Sequence, residues 1–206
     1  MCGFWHTLLE GIKKYILIIP SNTQQQTKFI MNKFLLPKFL QQLFILVALV
    51  AVVNVSYALD MSKDQAVGPV VLKINGKIGT KNTVDGAVFD DALLDALPQK
   101  SFVTETPWTK GRVKFTGPLL SDVLKAVDAS GTNVKAIALN DYKVNIPVED
   151  ARKYGVILAR QMDGKMLAVR DKGPLFVMYP FEQFPELKTS VYLSRCIWQL
   201  QSISVE

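Results

Sequence analysis

Beyond residue 58 the chain reads as one α+β domain, dominated by strands, with short helices at its margins. Three observations predict this. Short runs of β-branched and aromatic residues bounded by Gly, Pro, Asn and Asp outnumber the runs with helical spacing. The helical runs are short and scattered, so they cover a sheet rather than build a bundle. No repeat or low-complexity stretch interrupts the pattern.

Taken in order, residues 70–74 form a strand ended by the turn pair Asn75-Gly76. Residues 89–97 suit a short amphipathic helix. Phe89, Leu93, Ala96 and Leu97 share one face, Asp90, Asp91 and Asp95 lie off it, and Pro98 stops it. Residues 101–104 and 112–116 are strands around a Thr106-Pro107-Trp108 corner. The clearest helix opens at Pro118, where Leu120, Val123, Leu124 and Val127 recur at i, i+3, i+4 and i+7, with Gly131 as its cap. Strands follow at 134–139 and 142–146, then a helix from Pro147 to Lys153. Residues 156–162 and 166–169 make a hairpin about Asp163-Gly164. Residues 175–179 and a long, half-exposed run at 196–205 complete the strands.

The first 58 residues have a different character. Met31 opens a short stretch with Lys33 and Lys38, and residues 43–53 are apolar without a break. Ser56 and Ala58 stand at the small-residue positions a signal peptidase reads. The expectation is a signal peptide over 31–58, cleaved after Ala58, and a periplasmic domain over 59–206. The run is shorter than the roughly 20 apolar residues of a spanning helix. Residues 1–30 fit neither a signal nor a domain, and an over-long reading of the start is their simplest account.

Setting the leader aside changes the chemistry open to the chain. The whole sequence has formal net charge +6, of which five lysines and Glu10 in the leader contribute +4. The domain at +2 has no basic excess that would favour nucleic acid. The leader also holds His6, the sole histidine, and Cys2, leaving Cys196 alone. Histidine-based nucleophile systems and Cys/His zinc sites are thereby excluded, as is a disulfide within the domain. Cys196 reads as a small buried hydrophobe.

From Phe115 onward the motifs have a familiar order. Phe115-Thr116-Gly117-Pro118-Leu119-Leu120 resembles the "W-T-G-V-P-L" helix entry of the sulfite-oxidase-type molybdopterin-binding domain. Tyr142 to Pro147 resembles its "Y-x-x-x-I-P", and Leu158 to Gly164 its "L-A-Y-x-M-N-G". Asp171-Lys172-Gly173-Pro174-Leu175 is similar to "D-H-G-x-P-L-R", and Tyr192 to Arg195 with the last strand is similar to the family's ending. The resemblance covers roughly residues 70–206 and implies a sulfite-oxidase-like fold.

The departures are as informative. The family's enzymes carry a molybdenum-ligating cysteine on the segment before the "W-T-G" helix, and residues 102–108 here contain none. Lys172 stands where the family has a histidine beside the cofactor phosphate, and Phe176 where it has an arginine. Small periplasmic members that lack the cysteine and bind a free pterin are more similar still. They share the Thr106–Trp108 corner, the 138–142 stretch, the 171–174 loop and the Trp198-Gln199-Leu200 close.

That resemblance implies pterin as ligand, with molybdopterin as the alternative cofactor. It implies the periplasmic part of a membrane signalling protein, such as a cyclic-di-GMP enzyme, as partner, and a sensor without redox chemistry. A molybdopterin-dependent oxidoreductase and a non-catalytic interaction protein are the other two readings. A pterin needs an aromatic plate, a carboxylate for its guanidine-like edge, and donors for its acceptor atoms. Trp108 is the candidate plate, or else core filler. Glu105 is a carboxylate beside it. Asn140, Asp141 and Tyr142 offer amide, carboxylate and hydroxyl, or a plain turn. Arg170, Asp171 and Lys172 offer charge on a loop that is otherwise solvated. Arg195 is expected to face the cleft or to form a structural salt bridge.

Overall fold

A computed structural model describes residues 60–61 and 64–206. The leader, its cleavage site and the 1–30 extension lie outside these residues. Among the described residues no helix is long and apolar enough to cross a membrane.

The main sheet has five strands in the order β2-β1-β11-β5-β6. They are β1 (Leu72–Gly76), β2 (Ala87–Phe89), β5 (Asn133–Ala138), β6 (Lys143–Pro147) and β11 (Leu200–Val205). The C-terminal strand is thus central. It runs parallel to β1 and antiparallel to β5, with Ile203 opposite both Ile74 and Ala136. A second sheet of four strands orders as β3 (Gln99–Glu105), β4 (Arg112–Pro118), β8 (Gln161–Met162) and β9 (Lys165–Met166). A two-stranded pair, β7 (Ile157–Ala159) and β10 (Phe176–Met178), lies beside β4. Four short helices complete the fold: α1 (Asp91–Ala96), α2 (Leu120–Ala126), α3 (Val148–Tyr154) and α4 (Ser190–Arg195).

The core follows from alternation along the strands. On β4, Val113, Phe115 and Gly117 are buried while Arg112 and Lys114 are exposed. Phe115 meets Phe176 edge to face, with centroids 6.0 Å apart and planes at 90°. Gly117 allows β4 to touch β7, since a Cβ there would lie 1.9 Å from the Leu158 carbonyl oxygen. Arg160, buried between β7 and β8, reaches Asp91 and Asp95 of α1 and ties that helix to the strands.

Several expectations shift for identifiable reasons. Phe89 belongs to β2, not to the first helix, and Asp90 is that helix's N-cap. Leu94, not Ala96, joins Leu93 in the core. Pro118 ends β4, so the second helix begins at Leu120, and Val127 rather than Gly131 caps it. Gly131 instead lies where a Cβ would strike the Glu206 carbonyl oxygen. The hairpin about Asp163-Gly164 is confined to β8 and β9, because β7 turns away to pair with β10. Only Leu200–Val205 of the final run is strand. Residues 190–195 form a helix that the sequence patterning does not announce.

Asp90 secures the start of α1. Its Oδ1 accepts the Leu93 amide at 2.9 Å, and its Oδ2 accepts those of Val67 and Gly68 at 2.9 and 2.8 Å. These donors hold its carboxyl below the ordinary aspartate range. A depressed carboxylate stabilises the fold above its unfolded pKa and loses that contribution as pH falls through the folded value. Asp90→Asn should therefore flatten the acid limb of the stability profile. At neutral pH the asparagine still caps Leu93 but offers Val67 and Gly68 no second acceptor oxygen, a loss of about 1 kcal/mol or a fall of about 2–4 °C in Tm by calorimetry.

Candidate functional site

The site is built where three separate segments meet. The Thr106–Trp108 corner joins β3 to β4, the turn at 139–142 joins β5 to β6, and residues 193–198 run from α4 toward β11. Together they line a cavity of about 260 Å³ whose walls include Trp108, Asn140, Tyr142, Leu193, Ser194 and Trp198. That volume is near the lower end of small-molecule sites, roughly 300–1,000 Å³. Ala138, Cys196 and Ile197 complete the lining.

Each segment is positioned by local chemistry. At the corner the Trp108 amide donates to Thr106 Oγ1 at 3.3 Å, and that hydroxyl also pairs with Thr109 Oγ1 at 3.0 Å. At the 139–142 turn Asp141 adopts φ +63°, its amide donates to the Ala138 carbonyl at 3.1 Å, and Asn140 Oδ1 accepts the Tyr142 amide at 3.2 Å. Trp198 is fixed through Gln199, whose amide donates to Lys172 O at 3.0 Å and whose side chain donates to Val169 O at 2.8 Å.

Aromatic rings dominate the floor. Trp108 meets Trp198 at 5.8 Å and Phe176 at 6.0 Å, both edge to face, and Phe176 meets Trp198 at 6.1 Å. A flat ligand in this cavity faces indole surface, with the Asn140 amide and the Ser194 and Tyr142 hydroxyls as side-chain hydrogen-bonding groups. The lining has no carboxylate and no cation.

The charged groups sit elsewhere. Glu105 lines an adjoining cavity of about 340 Å³ with Thr106, Pro107, Glu182, Lys188 and Leu193. Lys188 donates to Glu182 at 2.8 Å and holds that carboxyl below its usual range. Leu193 is common to both cavities. Asp141 is exposed and outside the lining. Arg170 and Asp171 pair with each other at 3.4 Å on an exposed turn, and Lys172 follows in a left-handed conformation. This loop reaches the site through its carbonyls, Lys172 O accepting the Gln199 amide and Val169 O the Gln199 side chain. Arg195 forms a bridge to Asp150 at 2.7 Å. Of the nine candidates, the structure brings Trp108, Asn140 and Tyr142 into one cavity and sets Glu105 next to it. Leu193 and Ser194 lie in the Tyr192–Arg195 segment of the resemblance and Cys196 was read as a buried hydrophobe, but none of them, nor Ile197, was read as a site residue. Trp198 carried a signal in the Trp-Gln-Leu close.

The donor set also tests molybdopterin. In the enzymes that the sequence resembles, the protein's bond to molybdenum is a soft cysteine thiolate. Cys196 lines the cavity, yet its Sγ donates to the Tyr192 carbonyl at 3.5 Å, and burial pushes the thiol up to about 12. The lining offers no cation for the cofactor phosphate. Among the described residues no cluster of three or more His, Cys, Asp or Glu could hold a metal ion. These residues do not fit a protein-ligated molybdenum cofactor.

Residues 94–182 match the family model described as the oxidoreductase molybdopterin binding domain. No curated protein matches the chain. Among solved structures the chain is similar to the sulfane dehydrogenase SoxCD from Paracoccus pantotrophus, with TM-score 0.51 and 16% identity over 70% of this chain. It spans 40% of the length of that chain, and at this identity the likeness is one of fold. The family match contains Trp108, Asn140 and Tyr142 and stops before Leu193 to Trp198. Sheet-dominated architecture, the family model over residues 94–182 and the structural likeness agree on the fold: it is that of a sulfite-oxidase-like molybdopterin-binding domain.

Proposed function

We propose that this domain binds a free pterin without redox chemistry and acts as an exported, periplasmic sensor module. Its output passes to the periplasmic part of a membrane signalling protein such as a cyclic-di-GMP enzyme. The observation that carries the ligand reading is the cavity itself, two indoles and a tyrosine beside Asn140, with neither thiolate nor cation in the wall. A neutral bicycle packs its faces on indole and finds amide and hydroxyl partners for its edges. The carboxylate expected for its guanidine-like edge is absent from this wall, and the nearest candidate, Glu105, lines the adjoining cavity. A phosphorylated, metal-bearing cofactor does not suit the aromatic wall. The similarity to small pterin-binding members supports the sensor role, and the apolar leader at 31–58 supports export.

Titration of the purified protein with 6-hydroxymethylpterin, followed by pterin fluorescence, tests the ligand reading. Saturable binding at one site per chain is expected, and no binding up to millimolar pterin contradicts it. Trp108→Ala and Trp198→Ala should each raise Kd about tenfold or more, equivalent to about 1.4 kcal/mol of lost stacking. The buried thiol yields a separate expectation. Peptide mapping after iodoacetamide at pH 8 should find Cys196 unmodified in the folded protein and alkylated after denaturation. Modification at Cys196 in the native state would reopen a role for its thiolate.

A further inference from the structure

Helix α4 supplies Leu193 and Ser194 to the aromatic cavity and Leu193 to its neighbour, yet none of its own residues is buried. It has six residues, and Thr189 at its N-cap makes no side-chain cap bond. So short a helix has little stability of its own, and its position must be imposed by tertiary contacts.

Those contacts come through Arg195 and Tyr192, neither of which lines the cavity. Arg195 Nη1 donates to Asp150 Oδ2 at 2.7 Å, and the same oxygen accepts the Tyr179 hydroxyl at 2.8 Å. Asp150 sits on α3 and is 7% exposed, while Tyr179 is fully buried. Burial, and then the bond to Asp150, push the Tyr179 ionisation far up, so the hydroxyl remains a donor throughout the working pH range. The Arg195 guanidinium also lies 5.1 Å above the Tyr192 ring. Tyr192 in turn packs against Tyr154 at 5.7 Å and Tyr179 at 5.6 Å. One carboxylate oxygen thus binds α4 to α3 and to the segment after β10.

We propose that Asp150 and Arg195 are positioning residues of the cavity. Their ion pair, braced by Tyr179, sets where α4 stands and therefore whether Leu193 and Ser194 complete the wall. Arg195 reaches a ligand only through the helix it anchors. The proposal rests on the reading of the aromatic cavity as the ligand site. Removing either partner leaves the other charge partly buried and uncompensated, which releases the helix.

The test compares the full chain with Arg195→Ala, Arg195→Lys, Asp150→Asn and Tyr179→Phe. Hydrogen exchange over 190–196 is measured without ligand, and 6-hydroxymethylpterin dissociation is measured in parallel. Arg195→Ala should speed exchange at 190–196 at least tenfold, with amides of β4 and β11 unchanged. It should also raise pterin Kd about tenfold, mainly through faster dissociation. Arg195→Lys should recover most of both effects. Unchanged exchange at 190–196 in a folded Arg195→Ala protein overturns the proposal. So does weaker binding with full protection of α4, which would make Arg195 a direct contact. Should Arg195→Ala fail to fold, Asp150→Asn and Tyr179→Phe carry the same comparison. A wild-type protein that binds no pterin defeats the ligand reading alone, and the exchange data still decide the anchoring.

Discussion

The structure depends on how residues 196–200 are threaded. The Val177 amide donates to Ile197 O at 2.9 Å, and Trp198 bridges Phe176. Gln199, at φ +52°, gives its carbonyl to the Leu139 amide and its amide to Lys172 O. The Leu200 amide donates to Leu175 O before β11 enters the main sheet as its central strand. Five residues therefore connect the β7–β10 pair, the 169–172 loop, the 139–142 turn and the five-stranded sheet. All these links are backbone bonds across long sequence separations, so each carries a loop-closure cost that local contacts do not.

The same threading makes the cavity. Because Trp198 is held against Phe176, its indole also meets Trp108 from the opposite end of the domain. Because Gln199 pins Leu139, the turn bearing Asn140 and Tyr142 faces these rings. The aromatic wall follows from the core, since Phe176 belongs to both and passes its packing to Phe115. Polarity is divided between two chambers. The aromatic one has amide and hydroxyl groups only, while Glu105, Glu182 and Lys188 lie across Leu193 in the other. The aromatic chamber has no charged side chain in its wall to meet a phosphate.

The strand-dominated class was legible in the alternation along β4 and β5 and in the turn pair Asp163-Gly164, whereas Asn75-Gly76, expected as a turn, belongs to β1 and pairs with Ser204 and Val205. The likeness to the family model over residues 94–182 was legible in the order of motifs from Phe115 onward. What patterning missed had physical causes. Asp90 looked like a surface acid because capping depends on backbone conformation rather than on spacing. Helix α4 has no buried face, so no apolar period marks it. Arg195 was rightly singled out as conspicuous, and the bridge to Asp150 was one of its two expected roles; α3 brings that partner from 45 positions away. The charged 170–172 loop drew attention by composition, whereas its contribution to the site runs through carbonyl groups that residue types do not display.

The central proposal is that this domain of sulfite-oxidase-like fold binds a pterin in its aromatic cavity, whose donor set does not suit a protein-ligated molybdenum. The most direct measurement takes the full chain purified from a molybdenum-replete host that exports it. Pterin fluorescence and molybdenum content are then read on one sample. The account predicts pterin near one equivalent per chain with molybdenum at background. Molybdenum in equal amount to a pyranopterin would contradict it and return the domain to the oxidoreductases.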